Sequence, residues 1–207
     1  MTALHLSIAI FLLELRLKGK DNITQETETM EQTESVMPKS HFKAMAAMFA
    51  VRDFFSPRGR ILDEIDINEG DVILDFGCGP GGYCLPAADL VGESGRIIAL
   101  DINPAALEHV RDRAAKQNIE VIETMLPNGG IDLPDGSVNV VFLFDVLHDL
   151  KNWGAIVPEI RRVLKPDGVL ATHDHHMKGE DIIDAVIESG LFRYEGITKH
   201  AFRFRPI

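Results

Sequence analysis

Five short apolar runs, separated by longer amphipathic stretches, set the architecture that this chain can adopt. The runs are "DVILDFG", "GRIIALDI", "IEVIE", "VNVVFLFDV" and "VLATHD", and among them stand "CLPAADLVG", "PAALEHVRDRAAKQN" and "IVPEIRRVLKPDG". A strand that is apolar at consecutive positions buries both faces, so the pattern predicts an α/β fold with a mostly parallel sheet covered by helices on each side. Pro104 marks a helix start, where its missing N–H is not needed, and "KPDG" marks a helix end. The chain closes with "GEDIIDAVIESG" as a helix and "LFRYEGITKHAFRFRP" as two strands turning at "EGIT", a hairpin on an otherwise parallel sheet.

At 207 residues, 45% hydrophobic and 26% charged, the chain supplies one globular core with room for little more than an appendage. Its net charge of −11 argues against nucleic acid as a partner, because phosphates are neutralised by Lys and Arg. A small neutral or cationic ligand fits better. The two cysteines, Cys78 and Cys84, give neither a disulfide framework nor metal-ligand spacing, and read as reduced thiols of a cytoplasmic protein.

Residues 1–37 read as an apolar N-terminal helix with a polar linker, and 38–207 as a single domain. The apolar run over 3–17 is too short to span a bilayer and carries His5, Glu14 and Arg16. It also lacks the basic start and cleavage site of a secretory signal. Four readings fit it: a helix docked on the domain, an interfacial membrane helix, a partner-binding helix, or sequence upstream of a true start at Met30 or Met37. Residues 18–35 are polar and acidic, the composition of a linker. After Pro38, Phe42, Met45, Met48 or Phe49 and Arg52 fall at helical spacing behind Ser40 as N-cap. The methionines on that helix read as core filler, with a lid over an apolar substrate as the alternative.

"VILDFGCGPGGY", residues 72–83, reads as a strand that delivers a glycine-rich turn, because glycine lets backbone approach a ligand closely. Gly77, Gly79 and Gly82 satisfy G-x-G-x-x-G, and Asp101 closes the next strand, the pattern of a dinucleotide site. The same stretch also reads D-x-G-x-G-x-G through Asp75, Gly77, Gly79 and Gly81. A pyrophosphate wants N–H donors and the positive end of a helix dipole. Here Asp75 adds a negative charge and Pro80 removes a donor, which suits an ammonium or sulfonium better.

"VILDFGCGPGGY", "IIALDINPAAL", "DLPDGSVNVVFLFDVLHDL", "EIRRVLKPDGVLATHD" and "SGLFRYEGITKHAFRF", in that order over about Pro38 to Pro206, resemble the class I S-adenosylmethionine-dependent methyltransferases. Within that class the chain is most similar to the ubiquinone and menaquinone C-methyltransferase-like group of small-molecule enzymes. The resemblance implies a Rossmann-like seven-stranded sheet with an antiparallel last strand, helices on both faces, and S-adenosyl-L-methionine over the carboxyl ends of the first strands. Position by position, it implies that Gly77, Cys78, Gly79 and Gly81 cradle the methionyl group while Asp75 orients the loop and the ammonium. Asp101 would accept the ribose hydroxyls, Ile102 would pack on the adenine, and Phe144 counts among the cofactor-binding residues. Two departures stand out: Met125 and Leu126 occupy the place of an expected aspartate near the adenine amino group, and Asn139 stands where an acidic residue is common.

Methyl transfer from a sulfonium is an in-line displacement helped mainly by proximity and alignment, and a base is needed only if the acceptor must lose a proton. Asp145 and His148 in "FDVLHDL" and Asp174 in the "HDHH" run of 173–176 are the catalytic candidates. A metal is not expected, because alternate side chains of a strand point to opposite faces, and His173 with His175 cannot join Asp174 with His176 in a four-ligand site. Trp153 reads as helix packing, and "FRFRP" as a strand with one apolar face rather than a nucleic-acid platform. The expected function is methyl transfer to a small, apolar or amphipathic acceptor. A nicotinamide-dependent oxidoreductase using the same glycines and a non-catalytic cofactor-binding module, recruited to a membrane or partner through 3–17, are the alternatives.

Overall fold

A computed structural model describes residues 38, 40–42, 44–48, 59–150 and 153–207. The readings made for 1–37, and those for Phe49 and Arg52, lie outside the described residues. The strands are β1 (Val72–Phe76), β2 (Arg96–Leu100), β3 (Ile122–Met125), β4 (Val138–Phe144), β5 (Leu164–His173), β6 (Phe192–Ile197) and β7 (Phe202–Pro206). They form one sheet in the order β3-β2-β1-β4-β5-β7-β6. β1 to β5 pair in parallel, and β7 runs antiparallel to both β5 and β6. This is the mixed Rossmann-like sheet with a closing antiparallel hairpin that the sequence predicts.

The helices are α1 (40–42 and 44–48), α2 (Gly59–Leu62), α3 (Cys84–Val91), α4 (Pro104–Lys116), α5 (Trp153–Val163) and α6 (Gly179–Ile187). Strand alternation divides the core in two. Ile73, Ile97, Val140 and Phe142 meet Leu85 and Val91 of α3 and Leu107 and Val110 of α4 on one face. Leu74, Ile98, Val141 and Leu143 meet Val157 and Ile160 of α5 and Ile182 and Val186 of α6 on the other. Consecutive strand positions are apolar because each feeds a different layer. Phe42 and Ala46 of α1 bury against Ala105 and Ala106 at the start of α4. Trp153 packs beside the second layer and its indole N–H donates to the Ala185 carbonyl, as expected for a packing residue. Among the described residues no helix is long and apolar enough to cross a membrane.

Asn103 caps α4, its side chain accepting from the Ala105 N–H at 3.0 Å, with Pro104 at the first helical position as expected. Two local expectations are corrected and a third is extended. Ser40 is already helical, because the Pro38 carbonyl accepts the Phe42 N–H at 3.0 Å and the first turn therefore begins two residues earlier. "KPDG" follows the end of α5 at Val163 as expected, and it then bulges within β5: Leu164 pairs with Val138 and Val169 with Val140, so 165–168 stand opposite Asn139 alone. Asn139 fastens this bulge, its Oδ1 accepting from Lys165 Nζ at 2.8 Å and from the Val72 N–H at 3.0 Å, which gives the departure at that position a structural reason. The hairpin turns at Thr198–Ala201 rather than at "EGIT", because Gly196 lies in β6 at a register shift, while Thr198 Oγ1 and the His200 N–H donate to Glu64 at 2.6 and 2.9 Å.

The strand order reverses between β1 and β4, and a reversal of this kind parts the loops after the two strands into an opening at their carboxyl ends. Asp75 sits beneath that opening, 1% exposed, its carboxylate accepting the Cys84 N–H at 3.1 Å where α3 begins. Burial, reinforced by the nearby Asp101 charge and opposed by the Cys84 N–H, raises its pKa from 3.8 to about 7. Between those values the folded chain keeps a proton that the unfolded chain has released, so stability falls as pH rises toward 7 and is flat above it. The size of this contribution is on the order of a few kcal/mol. Asp75→Asn cannot titrate, and its melting temperature should improve relative to the parent by roughly 5 °C between pH 5 and pH 8. An unchanged difference at the two pH values would remove this role from Asp75.

Candidate active site

The loop after β1 is held from below by its own backbone. The Gly77 and Cys78 N–H groups both donate to the Leu100 carbonyl, at 2.8 and 3.0 Å, tying the loop to the end of β2. Gly77 has φ +79°, and a Cβ there would lie 2.5 Å from Val146 Cγ2, so neither the conformation nor the space admits a side chain. Gly79 differs: its φ is +50°, and a Cβ would meet nothing within 4 Å. Bare backbone therefore faces open space at Gly79. A Cβ at Gly81 would come 2.9 Å from Leu85 Cδ1, which seats the loop closely on α3.

Asp101 joins this loop to the strand beside it. Its Oδ2 accepts the Gly79 N–H at 2.9 Å and its Oδ1 the Asn103 N–H at 2.8 Å. Burial raises its pKa, while these two bonds pull it down. Ile102 follows at 46% exposure, and Leu126, just past the neighbouring strand β3, is 54% exposed. The Asp101 N–H donates to the Met125 carbonyl at 3.3 Å, so the two strand ends are stitched together. Met125 packs against the second core layer. Cys78 and Phe144 are both buried in the first layer, which leaves their backbone rather than their side chains to meet a ligand. Burial, with the Asp75 charge behind it, pushes the Cys78 thiol well above its usual range, so it is no thiolate nucleophile.

The carboxyl ends of β4 and β5 supply the opposite wall, and here the "HDHH" run, of which only His173 lies in β5, divides into two pairs. Asp174 turns inward with a fully buried side chain: its Oδ2 lies 2.8 Å from His148 Nδ1 and accepts the His148 N–H at 3.2 Å, and its Oδ1 accepts the His176 N–H at 2.8 Å. Burial alone would raise its pKa, but these bonds outweigh it and hold the carboxyl below its usual value. The His148 and His176 rings stand 4.3 Å apart. With Asp174 accepting at Nδ1, the proton of a neutral His148 sits on that nitrogen and Nε2 is the basic one.

His173 and His175 turn to the other side, where Asp145 meets them. Asp145 Oδ1 lies 2.6 Å from His175 Nδ1, and Oδ2 accepts from the Tyr83 hydroxyl at 3.4 Å. Asp145 is one of two described non-glycine residues with positive φ, at +54°, and its N–H donates to the His173 carbonyl at 2.7 Å. Such a conformation in a non-glycine residue is held by its surroundings and concentrates at functional sites. Thus Asp145 and His148, three residues apart, serve two different clusters. Sequence reasoning passed over Tyr83 and Val146; the signal for Tyr83 was its place as the last residue of the glycine-rich stretch, and Val146 carried none.

Residues 67–201 match the family model described as a methyltransferase domain. Among curated proteins, the chain is 34% identical over 122 residues to the aklanonic acid methyltransferase DauC of Streptomyces sp. (strain C5), covering 54% of each. It is 33% identical over 106 residues to the ubiquinone/menaquinone biosynthesis C-methyltransferase UbiE of Hydrogenovibrio crunogenus, covering 50% of this chain and 42% of that protein. The chain thus spans about half the length of these relatives. Among solved structures, a SAM-dependent methyltransferase from Aquifex aeolicus superposes with a TM-score of 0.68 at 23% identity, over 82% of this chain and 98% of that one. A family match across most of the ordered sheet, on a strand order and glycine loop already in place, makes this chain a member of the class I S-adenosylmethionine-dependent methyltransferase family.

Proposed function

We propose that the chain transfers a methyl group from S-adenosylmethionine to a small, apolar or amphipathic acceptor in the opening above β1, β2 and β4. The observation that carries this reading is Gly79: its backbone faces open space while its N–H is fastened to the carboxylate of Asp101. Bound there, S-adenosylmethionine supplies an electrophilic methyl carbon. Asp75 fixes the loop through the start of α3, and Gly77 and Gly81 pack the loop down so that Gly79 can approach the methionyl group. Asp101 keeps lone pairs beyond its two backbone bonds and receives the ribose hydroxyls. Ile102 and Leu126, exposed at adjacent strand ends, sandwich the adenine with Met125 behind them.

On the acceptor side, Nε2 of His148 removes a proton from the nucleophile, and Asp174 holds the ring in the tautomer this needs. Asp145 positions His175 and Tyr83 at the same wall. A small-molecule acceptor accords with the names of the relatives, which act on aklanonic acid or in ubiquinone and menaquinone biosynthesis. We place the activity in the cytoplasm, with no nucleic acid among its partners.

Calorimetric titration with S-adenosylmethionine, S-adenosylhomocysteine and NAD in parallel tests the reading. The first two should bind at about micromolar concentrations and NAD should not; binding of NAD alone would change the reaction class. Asp101→Ala should weaken S-adenosylmethionine by about 1.5 to 3 kcal/mol, and unchanged affinity would remove Asp101 from the site.

Screening quinone-like and lipid-like acceptors supplies the second test. With an acceptor that turns over, His148→Ala should lower the rate by roughly 10²- to 10⁴-fold while leaving cofactor affinity nearly intact. A normal rate would return His148 to a purely structural role.

A further inference from the structure

We propose that His173, His175 and Asp145 bind a divalent metal ion of the zinc type, placed to hold an oxygen of the methyl acceptor. One ligand atom from each of the three residues lies within 4.8 Å of the others. The two Nε2 atoms of His173 and His175 face each other at 3.4 Å. Two imidazole nitrogens on one tetrahedral ion, each about 2.0–2.1 Å from it, stand about 3.4 Å apart, so this separation is already that of a shared ion.

The surroundings of the ligands carry the same message. In the ion-free cluster Asp145 Oδ1 stands 2.6 Å from His175 Nδ1, which turns the His175 Nε2 toward His173; binding exchanges this bond for one from the carboxylate to the ion. Asp145 is held by its N–H bond to the His173 carbonyl and by the Tyr83 hydroxyl, so the carboxylate has little freedom to leave the cluster. Two histidines and one carboxylate are a donor set that suits zinc and neighbouring transition metals. His175 is 62% exposed, and the outer side of the ion is therefore open to water or substrate.

The acceptor class follows from the ion. A Lewis acid beside the glycine loop favours an acceptor with a hydroxyl, enol or phenol oxygen, which binds the metal more tightly as the anion. This inference rests on the methyltransferase reading for its substrate, but its metal chemistry is testable without one. The expectation of no metal came from a four-ligand argument, and that argument stands: Asp174 and His176 lie in the other cluster.

The test is titration of the untagged, metal-stripped full chain with Zn²⁺, followed by Co²⁺, whose visible spectrum reports coordination geometry. One equivalent of Zn²⁺ should bind, and Co²⁺ should give a spectrum of low coordination number. His173→Gln, His175→Gln and Asp145→Asn should each weaken Zn²⁺ at least tenfold, while His176→Gln should bind as the parent does. The exposed position of His175 makes its variant the one least able to disturb folding. No binding by the parent, or parent-like binding by the His173→Gln, His175→Gln double variant, overturns the site; loss of binding in His176→Gln moves it elsewhere and overturns it equally. S-adenosylmethionine is titrated into the same metal-free samples. Its binding without any Zn²⁺ site would end this inference alone, and its failure to bind the parent would end the methyltransferase reading instead.

Discussion

Because β2 and β4 lie on opposite sides of β1, the chain leaves the first strand toward one half of the sheet and returns to the other, and no single helix covers both loops. Everything the site contains follows from that reversal. Register then decides which residues meet there. Asp75 pairs with Ala99 of β2 and with Phe142 of β4, so two residues further on Gly77, Asp101 and Phe144 arrive at the same height. The Leu100 carbonyl at that level receives two N–H groups from the loop, and Val146 fills the space that a side chain at residue 77 would need. A one-residue slip of β1 would exchange its two core layers and carry the loop away from both neighbours.

Four carboxylates converge on this opening, and their partners differ in kind. Asp75 meets a helix-start N–H and is buried enough to retain a proton near neutral pH. Asp101 meets two loop N–H groups, Asp174 an imidazole and two N–H groups, and Asp145 an imidazole and a phenol. Backbone N–H groups satisfy hydrogen bonding without cancelling charge, so Asp101 and Asp174, which they hold, lend the opening a negative field that favours a cationic ligand over a pyrophosphate.

The strands and the glycine loop were legible because each rests on a local rule: consecutive apolar positions for a two-faced strand, glycine where backbone must turn or approach. Pro104 announced the start of α4 in the same way. Elements fixed by distant partners were not legible. "KPDG" marks the helix stop at Val163, but nothing local tells that Asn139 across the sheet then holds it as a bulge in β5. "EGIT" looks like a turn, yet Glu64, more than 130 residues earlier in the chain, gathers Thr198 and His200 and moves the turn past it. Of the candidate site, the glycine spacing over Gly77 to Gly81 and the place of Asp101 after the next strand are visible in the sequence, whereas the pairing of His148 with Asp174 spans 26 residues and emerges only when β4 and β5 lie side by side.

The "HDHH" run shows why a correct local rule can still mislead about chemistry. The side chains do divide, His173 and His175 one way and Asp174 and His176 the other, although β5 ends at His173 and 175–176 form a turn, and the run alone does not assemble four ligands. The rule is silent about what waits on each side. β4 ends in Asp145, whose left-handed backbone turns its carboxylate toward the first pair, and then in a short 3-10 turn that presents His148 to the second. Two half-sites that are each inert within their own strand become a carboxylate-supported histidine on one side and a two-histidine, one-carboxylate cluster on the other. The parallel pairing of β4 with β5, ending with Phe144 opposite His173, is what creates both. Chemistry at this wall is a property of strand neighbours, and the residues to examine in any relative are those just beyond the last paired positions of these two strands.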